Sequence, residues 1–170
     1  MELLTFPHPL LFKPTSKVED QEFTDQLSIT LSNMYDIMVL SNGIGLSANQ
    51  VGIGKSMFTM KSEVHGKLYI VNPTVVRKSV EIVSHKEGCL SAPGEFVQLS
   101  ERYRWVTIEY CDSTKRKMTK TFMGIDAICV QHEMDHLKGK SFLESKSIPK
   151  EDRNRLAKKW NLKGGKHERE

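Results

Sequence analysis

The sequence is poor in the features that mark membrane proteins, exported proteins and disulfide-rich proteins. None of its apolar runs approaches the roughly 20 residues that a membrane-spanning helix needs. The first twelve residues, MELLTFPHPLLF, contain two prolines and no basic segment of the kind that opens a signal peptide. Cysteines number only three, Cys89, Cys111 and Cys129, an odd number at unrelated spacings. We therefore expect a cytoplasmic chain with reduced thiols, no disulfide framework and no membrane contact.

What the sequence does contain is the composition of an ordinary globular domain. Its 170 residues are 38% hydrophobic and 27% charged, a length and balance that fit a single domain. The net charge of +4 arises at the end of the chain, because residues 150–170 hold eight Lys or Arg and four Asp or Glu. We predict one domain over residues 1–161 and a polar, basic, flexible tail at 162–170. The basic end could contact RNA, although a solvated charged terminus explains it better.

Apolar periodicity predicts helices combined with an antiparallel sheet. A stripe at i, i+4 and i+7 predicts a covering helix from Val18 to Leu40. A second helix is predicted from Gly124 or Ile125 to the glycine at position 139, and a third from Pro149 to about Trp160. The segments PGEFVQLSERYR and EGCLSAPGE are predicted as a loop and an irregular connection. Strands are predicted over the short runs KSMFTM, KLYIVNP, VEIVSH, WVTIEY and MTKTFM.

The segment QHEMDH, from Gln131 to His136, is the strongest sign of chemistry. At about 3.6 residues per turn, His132 and His136 share one helical face and can both reach a single ion. The apolar residues that precede them indicate a buried helix, in which an unpaired Glu133 carboxylate would be costly unless it had a role. The pattern therefore favours a metal site over two core histidines.

A catalytic divalent ion usually has three protein ligands, so the two histidines need a third. Cys129 lies about 10 Å along the helix axis from His136, too far for a short side chain to share an ion with it. Cys111 ends a strand with no polar cluster nearby, which favours core packing. Cys89 lies in the irregular segment EGCLSAPGE, from which a thiolate can approach a helix. Cys89 is the favoured third ligand.

The segment SNGIGLSANQ offers groups that could hold a substrate. Gly43 and Gly45 could serve only as a helix cap and a turn, yet they would also let a substrate main chain come close. Gln50 can donate two hydrogen bonds without carrying charge, which suits a developing oxyanion.

Three motifs, GIGLSANQ, EGCLS and QHEMDHLKG, in this order, closely resemble the signature motifs of the peptide deformylases. The opening FPHPLL followed by a helix is also similar to that family. The resemblance implies an α+β fold in which antiparallel β-sheets surround a buried central helix with the HExxH motif, together with an N-terminal covering helix and a short C-terminal helix. It implies a hydrolase that removes the formyl group from the N-terminal formylmethionine of nascent polypeptides and releases formate.

The same resemblance assigns roles to particular residues. Cys89, His132 and His136 would bind one divalent metal ion per chain, Fe²⁺ in the cell, with Zn²⁺, Ni²⁺ or Co²⁺ as alternatives. Glu133 would be the acid/base residue. Gln50 and the backbone N–H of Leu90 would form the oxyanion site. The implied substrate contacts are Gly45 for the main chain and Ile44, Ile125, Ile128 and Cys129 for the methionine side chain.

The implied partners are formylmethionyl peptides and, transiently, the ribosome, which the basic C-terminal region would contact; we expect a monomer. Ser47 stands where the family usually has alanine, and the chain ends soon after KEDRNRLAKKW, which leaves ribosome docking open. Arg102 or Arg104 could reach peptide carbonyls, but solvated surface charges are as good an account, so neither is assigned. Asp135 either orients a metal ligand or is an exposed helical carboxylate.

Two other functions fit parts of the sequence. A small zinc endopeptidase would use the HExxH motif with a distant third ligand such as Glu144 or Glu151. A ribosome-associated or RNA-binding module would use the basic tail and hold only a structural metal. A structural ion would want four protein ligands, and the sequence offers no convincing fourth.

Overall fold

A computed structural model describes residues 1–162 and contains three α-helices and seven β-strands in that range. The helices are α1 (Asp25–Leu40), α2 (Gly124–Leu137) and α3 (Lys150–Lys159). The strands are β1 (Gly45–Ser47), β2 (Met57–Ser62), β3 (Gly66–Lys78), β4 (Ile82–Cys89), β5 (Ala92–Tyr103), β6 (Trp105–Cys111) and β7 (Lys117–Met123). Short 3-10 turns lie at Pro9–Phe12, Asp20–Glu22, Ala48–Val51 and Phe142–Glu144.

The strands form two antiparallel sheets. Five strands pair in the order β1-β2-β3-β6-β7, and β4 pairs with β5 in a separate two-stranded sheet. This confirms the predicted combination of helices with antiparallel sheets. None of the helices within residues 1–162 is both long and apolar enough to cross a membrane.

Helix α2 packs against the five-stranded sheet, and ten of its fourteen residues are buried. Its apolar side chains form one core cluster with those of β2, β3, β6 and β7. The helix begins at Gly124, whose positive φ of 56° lets the chain turn sharply out of β7. Since both polar and apolar residues of α2 are buried, each buried polar side chain needs a partner or a function.

Helix α1 begins at Asp25, seven residues later than the predicted start at Val18. The reason is a tertiary contact. The backbone N–H of Val18 donates to Asn72 Oδ1 at 2.9 Å, and Asn72 Nδ2 donates to the Val18 carbonyl at 2.8 Å. Because both backbone groups of Val18 are bonded to one side chain of β3, they are not available to a helix.

The predicted loop PGEFVQLSERYR is a strand, which corrects our interpretation of this segment. It belongs to β5, which pairs with β4 along most of its length. Buried Glu95, Val97 and Leu99 alternate with exposed Phe96 and other residues, as expected when one face of a strand is covered. The residues VQLS show the same alternation of apolar and polar side chains in the sequence, but the nearby Pro93-Gly94 pair favoured a loop.

The EGCLSAPGE segment is more regular than predicted as well. Glu87, Gly88 and Cys89 end β4, and Leu90 with Ser91 form a tight turn before β5. The glycine-rich stretch at Gly45 includes the short strand β1, which pairs with β2. The EGCLSAPGE segment and the glycine-rich segment at Gly45 therefore both contain strand residues as well as turns.

Helix α3 shares a core cluster with the β4–β5 hairpin. Leu156 of α3 and Leu162 are buried in a second core cluster with Val97 and Leu99 of β5. Burying an aliphatic side chain of this size contributes roughly 1.5–3 kcal/mol. Leu162, which we had assigned to the tail, thus packs with the domain, and the remaining tail residues 163–170 lie outside the described part of the chain.

Candidate metal centre

The two histidines of QHEMDH lie one turn apart on α2, with both side chains buried. The centroids of the His132 and His136 rings are 4.9 Å apart, and their planes make an angle of 71°. The rings therefore face a common point without stacking on each other. The backbone carbonyl of His136 accepts a hydrogen bond from Asn49 Nδ2 at 2.7 Å, which ties this end of α2 to the turn after β1.

Cys89, at the end of β4, completes a group of three potential ligands. Its Sγ lies 3.2 Å from His136 Nε2, and the ligand atoms of Cys89, His132 and His136 are all within 4.8 Å of one another. Nitrogen and sulfur ligands of a tetrahedral ion, bound at about 2.1 and 2.3 Å, are about 3.3–3.6 Å apart. The three side chains therefore fit a single divalent ion. Within residues 1–162 this is the one such group.

The other candidate ligands lie elsewhere. Cys129 is buried and its Sγ contacts the backbone carbonyl of Ile44 at 3.6 Å, while burial raises the pKa of its thiol well above the usual value. A thiol held in its neutral form is a poor ligand. Cys111 ends β6, and neither Glu144 nor Glu151 belongs to the ligand group. The endopeptidase hypothesis therefore lacks its third ligand in the described structure.

Glu133 lies directly beside the ligand group and is almost completely buried. One oxygen, Oε1, lies against the backbone of Gly45, where a methyl group in place of hydrogen would come within 2.4 Å of it. The other oxygen, Oε2, is buried and has no hydrogen-bond partner among the residues that the structure describes. Burial raises the pKa of the carboxyl to about 7. Such a group can both accept and return a proton near neutral pH.

A buried network behind the ligands orients His132. The Nδ1 atom of His132 lies 2.9 Å from Glu87 Oε2, so a proton on Nδ1 is donated to this carboxylate and Nε2 is left to bind a metal. Arg102 holds the same carboxylate through two hydrogen bonds of 2.7 and 2.9 Å, and it also donates to Asp135 at 2.5 Å. Burial by itself raises the pKa of Glu87, but the hydrogen bonds from His132 and Arg102 outweigh it and lower the pKa to about 2.

The three residues of this network, Glu87, Arg102 and Asp135, were not assigned a definite role from the sequence. Arg102 is 4% exposed and cannot reach a substrate in solution, whereas Arg104 forms an exposed ion pair with Glu81. Asp135 lies at the outer end of the network and contacts Arg102. Its connection to His132 runs through Arg102 and Glu87. Glu87 was visible in EGCLS, but nothing in the sequence indicated which histidine it would contact.

Gln50 is held with its amide nitrogen toward the ligand group. The N–H and the hydroxyl of Ser47 both donate to Gln50 Oε1 at 2.9 Å. This leaves Gln50 Nε2 to donate to Ser91 Oγ at 3.1 Å, while Cys89 Sγ lies 3.5 Å away. The hydroxyl of Ser47, where the resembled family usually has alanine, therefore helps to fix the direction of this amide.

A cavity of about 570 Å³ opens beside the ligand group. One wall is formed by residues around β1, and the opposite wall by the end of β4 and the start of β5. Of the predicted metal, catalytic and substrate-binding residues, all but His136 line this cavity, and His136 contacts Cys89, which does. Those that line the cavity are Ile44, Gly45, Gln50, Cys89, Leu90, Ile125, Ile128, Cys129, His132 and Glu133.

The site consists of two imidazoles and one cysteine sulfur around a common point, with an open side toward a cavity and a buried carboxylate beside them. A structural ion would be closed off by four protein ligands, and residues 1–162 supply three. The three side chains are therefore a candidate metal site with an open side, and the buried Glu133 carboxylate lies beside it.

Comparison with known proteins identifies the family. The polypeptide deformylase family model matches residues 1–152. A peptide deformylase of Borreliella burgdorferi is 34% identical over 145 residues, covering 85% of this chain and 86% of the relative. That of Campylobacter jejuni is 31% identical and covers 99% of this chain and 98% of the relative. The chain belongs to the polypeptide deformylases, which are hydrolases that remove the formyl group from nascent polypeptides.

The fold agrees with that assignment. A crystal structure of a peptide deformylase from Synechococcus elongatus, in complex with actinonin, superposes with a TM-score of 0.86 at 32% sequence identity. The match covers 95% of this chain and 86% of the other. The recognised family and the mixed fold with antiparallel sheets are thus confirmed, and α3 continues beyond the part of the chain that the family model matches.

Proposed function

We propose that the cavity deformylates peptides with a single divalent ion held by Cys89, His132 and His136. The observation that carries the proposal is the position of Glu133, which is buried beside three converging ligands with one carboxylate oxygen unpartnered within residues 1–162. A bound divalent ion supplies Lewis acidity there, which both acidifies water and polarises a carbonyl oxygen. Two imidazoles and a thiolate suit Zn²⁺ and Fe²⁺. Of these we propose Fe²⁺ in the cell, which metal analysis of anaerobically purified protein tests.

Glu133 takes up the proton of the water that attacks the formyl carbon. As the tetrahedral intermediate forms, Gln50 Nε2 and the backbone N–H of Leu90 donate to the developing oxyanion, and each such donor is typically worth about 3 kcal/mol. Glu133 then returns the proton to the departing methionine nitrogen, so that formate and a free N-terminus are released. The orientation of Gln50 by Ser47 supports this role, because it directs the amide nitrogen toward the site.

The peptide would bind as an extended strand between two sheet edges. Strand β1 ends the five-stranded sheet, β4 has only β5 as a neighbour, and residues next to both strands line the cavity. Backbone groups along such edges pair readily with an added strand. Gly45 supports a close approach of the substrate main chain, because its missing side chain leaves room for Glu133. The methionine side chain would then enter the apolar wall formed by Ile44, Ile125, Ile128 and Cys129.

The proposed partners are formylmethionyl peptides and, transiently, the ribosome. The chain would act as a monomer in the cytoplasm. Lys150 and Lys158 of α3 are exposed and could contact an acidic surface, whereas Lys159 and Arg155 already contact Glu95. Co-sedimentation with ribosomes at about 50 and 200 mM salt, for the natural chain and a Lys150→Glu/Lys158→Glu variant, tests this contact. Equal sedimentation of the two would contradict it.

The experiment that tests the function uses three peptides on the metal-loaded protein. Formyl-Met-Ala should release formate, while acetyl-Met-Ala and an unformylated internal peptide should not react. Actinonin, the compound in the Synechococcus elongatus complex, should inhibit the reaction. Cleavage of the internal peptide would instead support an endopeptidase, and failure of all three would reject the proposal.

A further inference from the structure

The two histidines of the ligand group differ in how their second ring nitrogens are bonded. The Nδ1 atom of His132 lies 2.9 Å from the Glu87 carboxylate. The Nδ1 atom of His136 is buried and has no hydrogen-bond partner among residues 1–162. A metal-binding histidine usually has its ring fixed by a hydrogen bond from this second nitrogen. The orientation of His136 therefore needs another physical explanation.

An aromatic side chain packs against the His136 ring. The ring of Phe6, which is 4% exposed, lies nearly parallel to that of His136, with the centroids 6.4 Å apart and an angle of 22° between the planes. Offset and nearly parallel packing of two rings is favourable at such distances. Rotation of the His136 side chain away from its present position would break this contact. Phe6 thus restricts His136 where Glu87 restricts His132.

The chain around Phe6 is itself anchored to the site by its backbone. The N–H of Leu4 donates to the Gln50 carbonyl at 2.7 Å, and the N–H of Phe6 donates to the Ser91 carbonyl at 2.9 Å. The Phe12 ring also packs against Phe6, with the centroids 5.5 Å apart. A backbone held at two points and a closely packed ring leave Phe6 little freedom to move. The segment from Leu4 to Phe6 therefore provides a rigid support.

We propose that Phe6 is a positioning residue that holds the His136 ring with its Nε2 atom toward the other two ligands. This inference rests on the metal site of the proposed function. The Nε2 atom lies 3.2 Å from Cys89 Sγ, so its present orientation is the one that ligation requires. A flexible side chain at position 6 would let His136 adopt other orientations. Loss of such support for a ligand typically lowers metal affinity roughly 10- to 100-fold.

Phe142 provides a matched control. Its ring centroid lies 5.5 Å from that of His132, and it is buried in the same core cluster as Phe6. Because the Glu87 carboxylate also holds His132, a change at Phe142 should leave the orientation of that histidine intact. The variants Phe6→Met and Phe142→Met make the same chemical change. They differ in whether the neighbouring histidine has a hydrogen bond to fix it.

The test measures the Kd of the full-length protein for Co²⁺, by competition with a coloured chelator and without substrate. Phe6→Met should raise Kd roughly 10- to 100-fold, whereas Phe142→Met should stay within about threefold of the natural chain. The visible absorption of bound Co²⁺, which depends on ligand geometry, should change in Phe6→Met alone. Urea unfolding of the metal-free proteins shows whether both variants lose similar stability. Phe6→Leu provides the same comparison if Phe6→Met does not fold.

The outcomes separate the positioning role from the function. An unchanged Kd in Phe6→Met would overturn the proposal. Equal losses of affinity in Phe6→Met and Phe142→Met would also overturn it, because packing of the shared cluster would then explain both. Failure of the natural chain to bind Co²⁺ would reject the metal site and the positioning role together. Weaker binding in Phe6→Met alone would support the role of Phe6, whatever peptide the enzyme hydrolyses.

Discussion

Helix α2 and the β4–β5 hairpin both build the candidate metal centre, but they do so over different ranges of the chain. On α2, His132 and His136 are about one helical turn apart, and Glu133 directly follows His132 in the sequence. Cys89, by contrast, is 47 residues away from His136 in sequence, and the fold brings it to the histidines at the end of β4. Two of the three candidate ligands and the neighbouring Glu133 are therefore local to one helix, and only the third ligand, Cys89, depends on the rest of the fold.

The two elements are also supported differently. Helix α2 packs with the five-stranded sheet through an apolar cluster. The buried face of the hairpin has apolar residues, Val97 and Leu99, which belong to the same cluster as residues of α3. The same face has an ionic network, in which Arg102 of β5 joins Glu87 of β4 to Asp135 of α2. The ionic network is therefore one direct connection between the hairpin and the helix, and the two hydrogen bonds between the Gln131 side chain and the Tyr103 backbone are another. Substitutions in α2 and in the β4–β5 hairpin should therefore have separable effects on metal binding, on proton transfer and on the free energy of unfolding.

The largest loss of metal and activity is expected when Cys89, the candidate ligand on the hairpin, is replaced. Cys89→Ala leaves two protein ligands, so bound metal should fall well below one ion per chain and formate release from formyl-Met-Ala should drop at least about a thousandfold. Cys129→Ala, on α2, is the matched control and should keep its metal. Elemental analysis and formate release on the same preparations check both variants. Metal retained by Cys89→Ala but lost by Cys129→Ala would reverse the assignment.

A smaller loss, of turnover without loss of metal, is expected when Glu133 of α2 is replaced. Glu133→Gln keeps the volume and hydrogen bonding of the side chain but removes the group that accepts and returns the proton. We expect kcat to fall about 10²- to 10⁴-fold with metal content near one ion per chain, because the three ligands remain. Bound metal and formate release must be measured together. Loss of metal would make Glu133 a ligand or a structural group, and near-normal turnover would remove it from the mechanism.

The connection between hairpin and helix can be broken at Arg102. Arg102→Met leaves the buried Glu87 carboxylate with one partner fewer, which should lower the free energy of unfolding by about 3–5 kcal/mol. Arg104→Met removes an exposed ion pair with Glu81 and should cost less than about 1 kcal/mol. Urea unfolding of the metal-free proteins compares the two. Similar values for both variants would show that the network does not hold the hairpin to α2.

The smallest effect is expected outside both elements. Removal of residues 163–170 should leave turnover of formyl-Met-Ala within about twofold, because Leu162 and the cavity lining are retained. The assay compares kcat and KM of the truncated and full-length proteins at equal metal content. A large loss of activity in a folded, metal-loaded truncation would place the tail in the catalytic domain.

Sequence patterns predicted much of this fold and candidate site, and the errors have physical causes. The predicted ends of α2 and α3 agree with the structure to within a residue or two, because their caps and apolar spacing are local. The prediction was wrong for β5, where Pro93-Gly94 suggested a loop although the partner strand β4 holds the segment extended. It was also wrong for the start of α1, where Asn72 binds the backbone of Val18.

Sequence patterns alone were enough to locate the HExxH helix and, through three short motifs, the family. They also predict Cys89 and not Cys129 as the third ligand, which the Cys89→Ala and Cys129→Ala variants test. These follow from helix geometry and from residue order, which need no knowledge of distant contacts. Three other features are visible only in the folded chain: Glu87 and Arg102 orient His132, Ser47 directs the Gln50 amide, and Phe96 lines the cavity. Strand pairing and burial bring together residues that are far apart in the chain. The contacts of each residue therefore depend on how the rest of the chain folds.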